Sequence, residues 1–175
     1  MMLYFGSSAW GLAMATSAWR ELNKTTRSYL VILGLPKQDH AEMDGCYHLP
    51  FLKNEEVSCA LQAAELLLLP YPDGVSERRT TFTSGLQHGC AIVTTTGEST
   101  GATLLSTDYC RIARADSMEA FVKEARLLVD NPKARNLMGR KAEMAYEKNY
   151  SWTRVIDQLQ EKLERIAATG PITPR

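Results

Sequence analysis

Short apolar runs alternate with amphipathic segments along most of the chain. The clearest run is the four leucines at positions 66–69, followed by Pro70 and Tyr71. A run that is apolar at every position is typical of a strand buried on both faces of a parallel sheet. Further strands are predicted at positions 3–6, 29–34, 46–49, 91–94 and 109–113. This alternation predicts a doubly wound, Rossmann-like α/β fold: a parallel sheet of about six strands, with helices on both faces and closing helices at the C-terminus.

Apolar residues at three- and four-residue spacing predict the helices between these strands. Asn54 is expected to cap the helix that precedes the four leucines, and Asp116 with Glu119 has the spacing of a capping box. Ser151 is expected to cap the last helix, whose apolar stripe is predicted to face the core: Trp152, Val155, Ile156, Leu159, Leu163 and Ile166. The chain is interpreted as one domain, residues 1–170, with a tail at 171–175.

The charge balance limits the kinds of ligand that the whole surface can attract. Lys+Arg and Asp+Glu both number 20 among the 175 residues, so no net field draws the protein toward nucleic acid or an anionic membrane. Any anion site must therefore be local.

The cysteines and the N-terminus indicate a cytoplasmic protein without disulfides. The four cysteines are scattered without a CxxC pair, which is typical of free thiols in a reducing compartment. No run has the length of a membrane span. The apolar start of the chain lacks a basic segment and is broken by Gly6 and Gly11, so we do not interpret it as a signal peptide.

The candidate site is the loop after the four leucines, where Asp73 and Gly74 lead to Arg78 and Arg79. Ligands of doubly wound sheets bind beyond the carboxyl ends of the strands, where helix N-termini favour negative charge. Two guanidinium groups at this place match a phosphate or diphosphate, because each offers a fixed fork of donors. The alternative is that both arginines are solvated and pair with Glu77 or Asp73.

Two other loops can open on the same edge of the sheet. The turn at positions 6–8, Gly-Ser-Ser, follows the first strand, and the segments 94–97 and 99–101 follow the strand after the arginines. Both segments supply hydroxyls and exposed amides that can hold phosphate oxygens or sugar hydroxyls.

Other chemistries find little support in the sequence. The candidate metal ligands His40, Glu42, Asp44, Cys46 and His48 match no zinc or calcium spacing. His88 precedes a glycine at a predicted helix end, where a capping role is favoured over catalysis. A Walker A loop and a GxGxxG motif are both absent.

Four segments of the chain resemble a known family. They are LYFG at the first strand, FLKNEEVSCALQAAELLLLPY, DGVSERR with GLQHGCAIVTTTG, and the stretch from SMEAF to TRVIDQL. Their sequences and their order resemble the C-terminal, donor-binding half of GT-B-fold glycosyltransferases of the group 1 family, which are retaining enzymes that use nucleotide-diphosphate sugars. The resemblance covers nearly the whole chain.

The sequence departs from that family at its donor-binding positions. Many relatives carry two glutamates with seven residues between them, and these positions fall on Ser76 and Ser84. Relatives also place an arginine and a Lys-Gly pair after the first strand, where this chain has Trp10 and Gly11. A subset of the family is similar to this chain in its D-G-V-S-x-R-R segment, which implies that Arg78 and Arg79 replace the missing basic pair.

The resemblance implies a donor-binding half that needs an acceptor-binding N-terminal domain or a separate subunit for activity. It implies no cofactor and no metal, since the nucleotide sugar is the substrate, and it assigns no catalytic residue. A homodimer is possible on the same reasoning. The alternative is a degenerate, non-catalytic domain that binds a nucleotide or another protein, and a generic phosphate-binding domain is a third interpretation. The residues implied in donor binding are Gly6, Ser7, Ser8, Gly74, Val75, Ser76, Glu77, Arg78 and Arg79, with Ser84 or Glu77 facing the ribose or sugar hydroxyls.

Overall fold

The chain folds around a six-stranded sheet in which every neighbouring pair is parallel. The structure is a computed structural model that describes residues 1–35, 43–49 and 51–169. The strand order is β3-β2-β1-β4-β5-β6, the order of doubly wound sheets in which β1 and β4 lie side by side at the topological switch point. The strands are β1 Met2–Phe5, β2 Leu30–Leu33, β3 Cys46–Leu49, β4 Leu66–Leu69, β5 Ile92–Thr96 and β6 Arg111–Arg114.

Helices cover both faces of the sheet, as the sequence predicts. Strand β4 shows the reason, because Leu66 and Leu68 belong to one buried cluster while Leu67 and Leu69 belong to the other. In the described ranges the helices are α1 Ala9–Asn23, α2 Asn54–Ala63, α3 Thr80–Gln87, α4 Ala102–Leu105, α5 Met118–Val129, α6 Pro132–Asn149 and α7 Trp152–Thr169. Helices α1 and α5 supply the first cluster, and α2, α3 and α6 supply most helical residues of the second. The Rossmann-like fold prediction is confirmed.

Two predicted helix caps are wrong by one residue. Helix α2 begins at Asn54, and the capping position is Lys53, whose backbone amide donates to the Glu56 carboxylate at 2.8 Å. Helix α5 is capped by Ser117, whose hydroxyl accepts from the Ala120 amide at 3.1 Å. Asp116 instead forms an ion pair with Arg114. The neighbouring positions Asp116 and Ser117 both suit a cap, so the competing ion pair decides between them.

The prediction that the apolar stripe of α7 faces the core is also wrong. Trp152 is 78% exposed, and the other stripe residues are between 42% and 57% exposed. The main contact of α7 with the body is through α6. A helical period identifies an apolar face but not the partner of that face.

Several predictions fall on residues that the structure does not describe. The tail at 171–175 lies outside the described residues, as do His40 and Glu42.

The cysteines are free, with Cys90 and Cys110 buried and Cys59 exposed. Among the described helices, none is both long and apolar enough to cross a membrane.

Candidate functional site

A cleft of about 320 Å³ opens between the carboxyl ends of β1 and β4. It therefore lies at the switch point of the sheet, where the chain turns from β1 toward β2 on one side and from β4 toward β5 on the other. One wall is the loop from Gly6 to Ser8, and the other is the segment from Arg78 to Thr81. The sequence placed these two segments on one edge, and the structure brings them together in one cleft.

The loop after β1 is held in shape by Tyr4 and Ser8. The Tyr4 hydroxyl donates to the Ser8 carbonyl at 2.9 Å, and the Ser8 hydroxyl accepts from the Gly11 amide at 3.2 Å, which caps α1. Gly11 is required by close packing, because a Cβ there would lie 2.8 Å from the Pro70 carbonyl oxygen. The N-terminus of α1 is thus pressed against the end of β4, beside the cleft.

Arg79 is fixed in the wall of the cleft by two neighbours. Its Nη2 atom donates to both carboxylate oxygens of Asp73, and its guanidinium carbon lies 4.7 Å from the centroid of the Tyr71 ring. Only Nη2 takes part in this ion pair. Within the part of the chain that the structure describes, no residue accepts a hydrogen bond from Nε or Nη1 of Arg79, so two sides of its fork are available to an anion.

Arg78 differs from Arg79 in its surroundings. Its side chain is exposed and lines the cleft, and none of the described carboxylates lies within ion-pair distance of it. The expected alternative, in which both arginines pair with Asp73 or Glu77, therefore holds for Arg79 alone.

The first turn of α3 completes the wall. The Tyr71 hydroxyl and the Thr81 hydroxyl are 2.7 Å apart, which ties α3 to the segment that follows β4. Burial raises the pKa of Tyr71 to about 12, although the hydrogen bond with Thr81 opposes the shift. The phenol therefore stays protonated near neutral pH. The first-turn amides at Thr80 and Thr81 have no intrahelical acceptor and add a positive helix end to the two arginines.

The electrostatics of Asp73 favour its charged form. Partial desolvation alone would raise the pKa of Asp73, but the hydrogen bond from Ser99 and the charge of Arg79 outweigh it and hold the pKa below its ordinary value. Ser99 Oγ donates to Asp73 Oδ2 at 3.0 Å, and the Ser99 amide donates to the Asp73 carbonyl at 2.8 Å. Asp73 thus joins the loop after β4 to the loop after β5.

Five predicted donor-binding residues do not line this cleft. Gly74 has a φ of +87°, and a Cβ there would lie 2.2 Å from the Gly97 nitrogen, so its role is to let the two loops meet. Val75 is fully buried in the core. The Ser76 carbonyl accepts from the Arg79 amide at 3.1 Å and so shapes the turn.

Glu77 and Ser84 lie farther from the cleft. Glu77 faces a second pocket, which it shares with Tyr109 and Tyr150. Ser84 lies one turn farther along α3, where its carbonyl faces the His88 ring nitrogen Nδ1 at 2.8 Å. The structure therefore supports Gly6, Ser7, Ser8, Arg78 and Arg79 as one group and separates the other five from it. The roles of all ten residues in donor binding stay predictions.

Two of the three threonines of β5 support the backbone of the neighbouring segment. Thr94 and Thr95 are fully buried. The Thr94 hydroxyl donates to the Leu69 carbonyl at 2.7 Å, and the Thr95 hydroxyl donates to the Tyr71 carbonyl at 2.6 Å while accepting from the Tyr71 amide at 2.7 Å. The interpretation of the Thr94 and Thr95 hydroxyls as phosphate or sugar donors is therefore wrong, because they bond to the backbone of the segment that carries the cleft. For the other residues of 94–97 and 99–101 it stays a prediction.

His88 lies away from the cleft, at the C-terminal end of α3. Its Nε2 is 2.7 Å from the Ser58 hydroxyl, so the ring connects α2 to α3. This position supports the expected capping role. Among the residues that the structure describes, no cluster of three or more His, Cys, Asp or Glu side chains could hold a metal ion.

Comparison with known proteins was informative at the level of structure. No family model and no curated protein matches the sequence. The C-terminal domain of the group 1 family glycosyl transferase LpcC from Francisella tularensis superimposes with a TM-score of 0.69 at 10% identity, over 86% of this chain and 86% of that one. This chain has the fold of a GT-B glycosyltransferase C-terminal domain.

Two longer proteins match over part of their length. Sucrose-phosphate synthase from Thermosynechococcus elongatus gives a TM-score of 0.73 at 9% identity, over 97% of this chain and 46% of that one. HepE from Anabaena, solved in complex with UDP, gives a TM-score of 0.72 at 11% identity, over 94% of this chain and 48% of that one. The chain therefore spans less than half the length of these two proteins. At such identities the likeness is one of fold.

Proposed function

We propose that this chain is the donor-binding half of a retaining glycosyltransferase and that its cleft binds the diphosphate of a nucleotide sugar. The observation that carries the proposal is the meeting of Arg78 and Arg79 with the loop from Gly6 to Ser8 at the switch point of the sheet. Two helix N-termini and two guanidinium groups converge there on one small volume, which suits a ligand with several negative charges. HepE, which shares the fold, has been solved with UDP and with UDP-glucose.

The arginines would act on the leaving group. When the bond between the sugar and the diphosphate breaks, negative charge accumulates on the diphosphate oxygens. Arg78 and the unpaired nitrogens of Arg79 would neutralise that charge. Fixed donors of this kind lower the barrier without reorganising, and removal of one typically costs about 10²–10³ in rate. The Asp73–Arg79 ion pair and the Tyr71 ring keep one guanidinium in place before the ligand arrives.

Transfer would need groups that the described lining of this cleft does not contain. Among the residues that the structure describes, the lining consists of hydroxyl, apolar and arginine side chains with backbone groups, and includes no carboxylate or imidazole. We therefore propose that the acceptor site and the catalytic side chains come from a second domain or subunit that closes over the cleft. The two longer matches, of which this chain covers 46% and 48%, support this division.

A second candidate is a non-catalytic domain that binds a nucleotide or another protein. It is favoured by the absence of a carboxylate or imidazole from the described part of the cleft lining, together with Ser76 and Ser84 at the positions of the family's glutamates. If this domain binds a nucleotide, it shares that property with the main proposal. If it binds another protein instead, it does not. Turnover separates the two candidates.

The experiment is a turnover assay with a panel of UDP, GDP and ADP sugars. Release of the nucleoside diphosphate is measured for the chain alone and for the chain mixed with the part of a longer structural relative, such as HepE, that this chain does not match. Transfer in the mixture, with little or none from the chain alone, supports the enzyme half. Tight nucleotide binding with no turnover in any mixture supports the non-catalytic domain. Absence of both nucleotide binding and turnover contradicts the donor-site proposal.

A further inference from the structure

Six of the described residues that line the cleft carry a hydroxyl group, and four of these hydroxyls are bonded within the protein. The Tyr4 hydroxyl donates to the Ser8 carbonyl, and the Ser8 hydroxyl accepts from the amide of Gly11. The hydroxyls of Tyr71 and Thr81 are bonded to each other. These four groups therefore hold the walls of the cleft in place.

The other two hydroxyls, on Ser7 and Thr80, have no hydrogen-bond partner among the residues that the structure describes. Both side chains are exposed. Ser7 belongs to the wall that the loop after β1 forms, and Thr80 is the first residue of α3 in the opposite wall. Helix α3 does not use the Thr80 hydroxyl as a cap, because its capping position is Arg79. Each wall thus offers one hydroxyl to a ligand.

These two hydroxyls supply an acceptor, which the arginines cannot. A guanidinium group and a backbone amide only donate hydrogen bonds, whereas a hydroxyl oxygen also accepts them. The described lining includes no carboxylate or imidazole, so Ser7 and Thr80 carry the side-chain acceptors of that lining that are not already bonded within the protein. A bare diphosphate requires donors alone. A nucleotide sugar also has ribose and sugar hydroxyls, and each of these loses binding free energy if it is buried without an acceptor.

The position of Thr80 suits this role. Its amide is one of the first-turn amides of α3 without an intrahelical acceptor, and its hydroxyl belongs to the same residue. A ligand whose phosphate is held by the amide brings its nearest hydroxyl close to Thr80 Oγ1. Glu77 and Ser84, which the sequence predicts for the ribose or sugar hydroxyls, do not line the cleft. The cleft therefore offers Thr80 where the sequence pattern indicated those two residues.

We propose that the hydroxyls of Thr80 and Ser7 accept hydrogen bonds from ligand hydroxyls next to the diphosphate. They are specificity-determining residues that favour a nucleotide or a nucleotide sugar over a bare pyrophosphate. The inference rests on the proposed function, because it requires a diphosphate in the cleft. The ligand hydroxyls belong to the ribose or to the transferred sugar, and the choice of probe separates these two sources.

The test is isothermal titration calorimetry of the chain with inorganic pyrophosphate, with UDP, GDP and ADP, and with the glucose derivative of each nucleotide. Thr80→Val removes one hydroxyl and keeps the shape of the side chain, Thr80→Ser retains the hydroxyl, and Ser7→Ala removes the other one. Thr103→Val is the matched control, since Thr103 is an exposed threonine of α4 outside the lining of the cleft.

We expect Thr80→Val and Ser7→Ala each to bind the nucleotide probes about 2- to 10-fold more weakly than the parent, the net worth of one hydrogen bond. Both variants should bind pyrophosphate as the parent does. Thr80→Ser and Thr103→Val should bind every probe like the parent. A loss that is already present with the nucleoside diphosphate assigns a ribose hydroxyl, and a loss with the glucose derivative alone assigns a sugar hydroxyl.

Two results would overturn this inference while the diphosphate site stands. The first is an unchanged affinity of Thr80→Val and Ser7→Ala for every nucleotide probe that the parent binds. The second is an equal loss of affinity for pyrophosphate, which would make the two hydroxyls donors to phosphate. A parent chain that binds none of the probes would instead contradict the proposed function, and the inference would fail with it.

Discussion

Arg79 and Asp73 form an ion pair through a single nitrogen, Nη2 of the arginine, while the Tyr71 ring supports the guanidinium from one side. This arrangement restrains the arginine and leaves Nε and Nη1 available for a ligand. Asp73 is also bonded to Ser99, so the position of Arg79 depends on the contact between two loops. The cleft therefore contains one restrained arginine and one exposed arginine, Arg78, that forms no ion pair with a described residue.

The ion pair should contribute to stability above the pKa of the carboxyl group. The pKa of Asp73 is lower in the folded state than in the unfolded chain. Its contribution is therefore fully present above the unfolded value of about 4 and is lost as the pH falls through the lower folded value. We expect Asp73→Asn to lower the free energy of unfolding by about 0.5 kcal/mol at pH 7, since both side chains are partly exposed.

Chemical denaturation of Asp73→Asn and the parent across pH 2–7 checks this expectation. The difference between the two proteins should shrink below pH 4, where the parent loses the same charge. Asp157→Asn is the control, because Asp157 forms no ion pair with any described residue. If the parent instead became more stable relative to Asp73→Asn as the pH fell, the charged form of Asp73 would destabilise the folded state.

Gly11 should be intolerant of a side chain, in contrast to Gly101. A Cβ at Gly11 would lie 2.8 Å from both the Pro70 carbonyl oxygen and the Tyr4 hydroxyl oxygen, whereas a Cβ at Gly101 would have no heavy atom within 4 Å. Overpacking costs about 1–3 kcal/mol, and alanine recovers up to about 1 kcal/mol of helix propensity. We expect Gly11→Ala to lose about 1–2 kcal/mol of stability and Gly101→Ala to be nearly neutral.

Calorimetry of the two variants measures this contrast as a fall in Tm of about 2–4 °C per kcal/mol. Because Gly11 allows α1 to approach the end of β4, Gly11→Ala should also weaken the binding of any ligand in the cleft. Equal melting temperatures for the two variants would mean that α1 does not pack on Pro70 as described.

The buried hydroxyl of Thr95 should be essential for the segment after β4. Thr95→Val keeps the volume of the side chain but leaves the Tyr71 amide without its hydrogen bond. The Tyr71 carbonyl loses the bond from the Thr95 hydroxyl and keeps the one from the Gly74 amide. An unsatisfied buried group costs about 1–3 kcal/mol, so we expect a loss of about 1–3 kcal/mol from Thr95→Val. Thr96→Val is the matched control, because Thr96 is partly exposed and its hydroxyl has no described partner.

Urea denaturation of the two valine variants separates these cases. Thr96→Val should stay within about 0.5 kcal/mol of the parent. If Thr95→Val were as stable as Thr96→Val, the Tyr71 backbone would have to find other partners, and the rigid support of the cleft would be in doubt.

The sheet and its cleft could be predicted from local patterns. The wholly apolar run at β4 indicated a buried parallel strand, and parallel strands bring the loops after β1 and β4 to one edge. The meeting of Gly6, Ser7 and Ser8 with Arg78 and Arg79 follows from that rule. It required no knowledge of distant contacts.

The remaining features depend on contacts that sequence spacing does not show. The Asp73–Ser99 bond and the approach of Gly74 to Gly97 join two loops that are distant in the sequence. Thr94 and Thr95 bond to the backbone after β4, a contact that their position at the end of a strand does not reveal. The apolar stripe of α7 has the same period whether it is buried or exposed, and only the three-dimensional structure shows that it is exposed.

The most direct test of the account is the melting temperature of the chain with UDP, GDP, ADP and their sugars, with and without magnesium. At one hundred times its dissociation constant a ligand should add about 2.7 kcal/mol, or roughly 5 °C or more for a chain of this size. We expect one nucleoside diphosphate to stabilise the parent and the control Arg27→Ala, an exposed arginine before β2. The same ligand should stabilise Arg78→Ala weakly and the double variant Arg78→Ala/Arg79→Ala not at all. An undiminished ligand shift in the double variant, or no shift with any nucleotide in the parent, would contradict the assignment of the cleft as a diphosphate site.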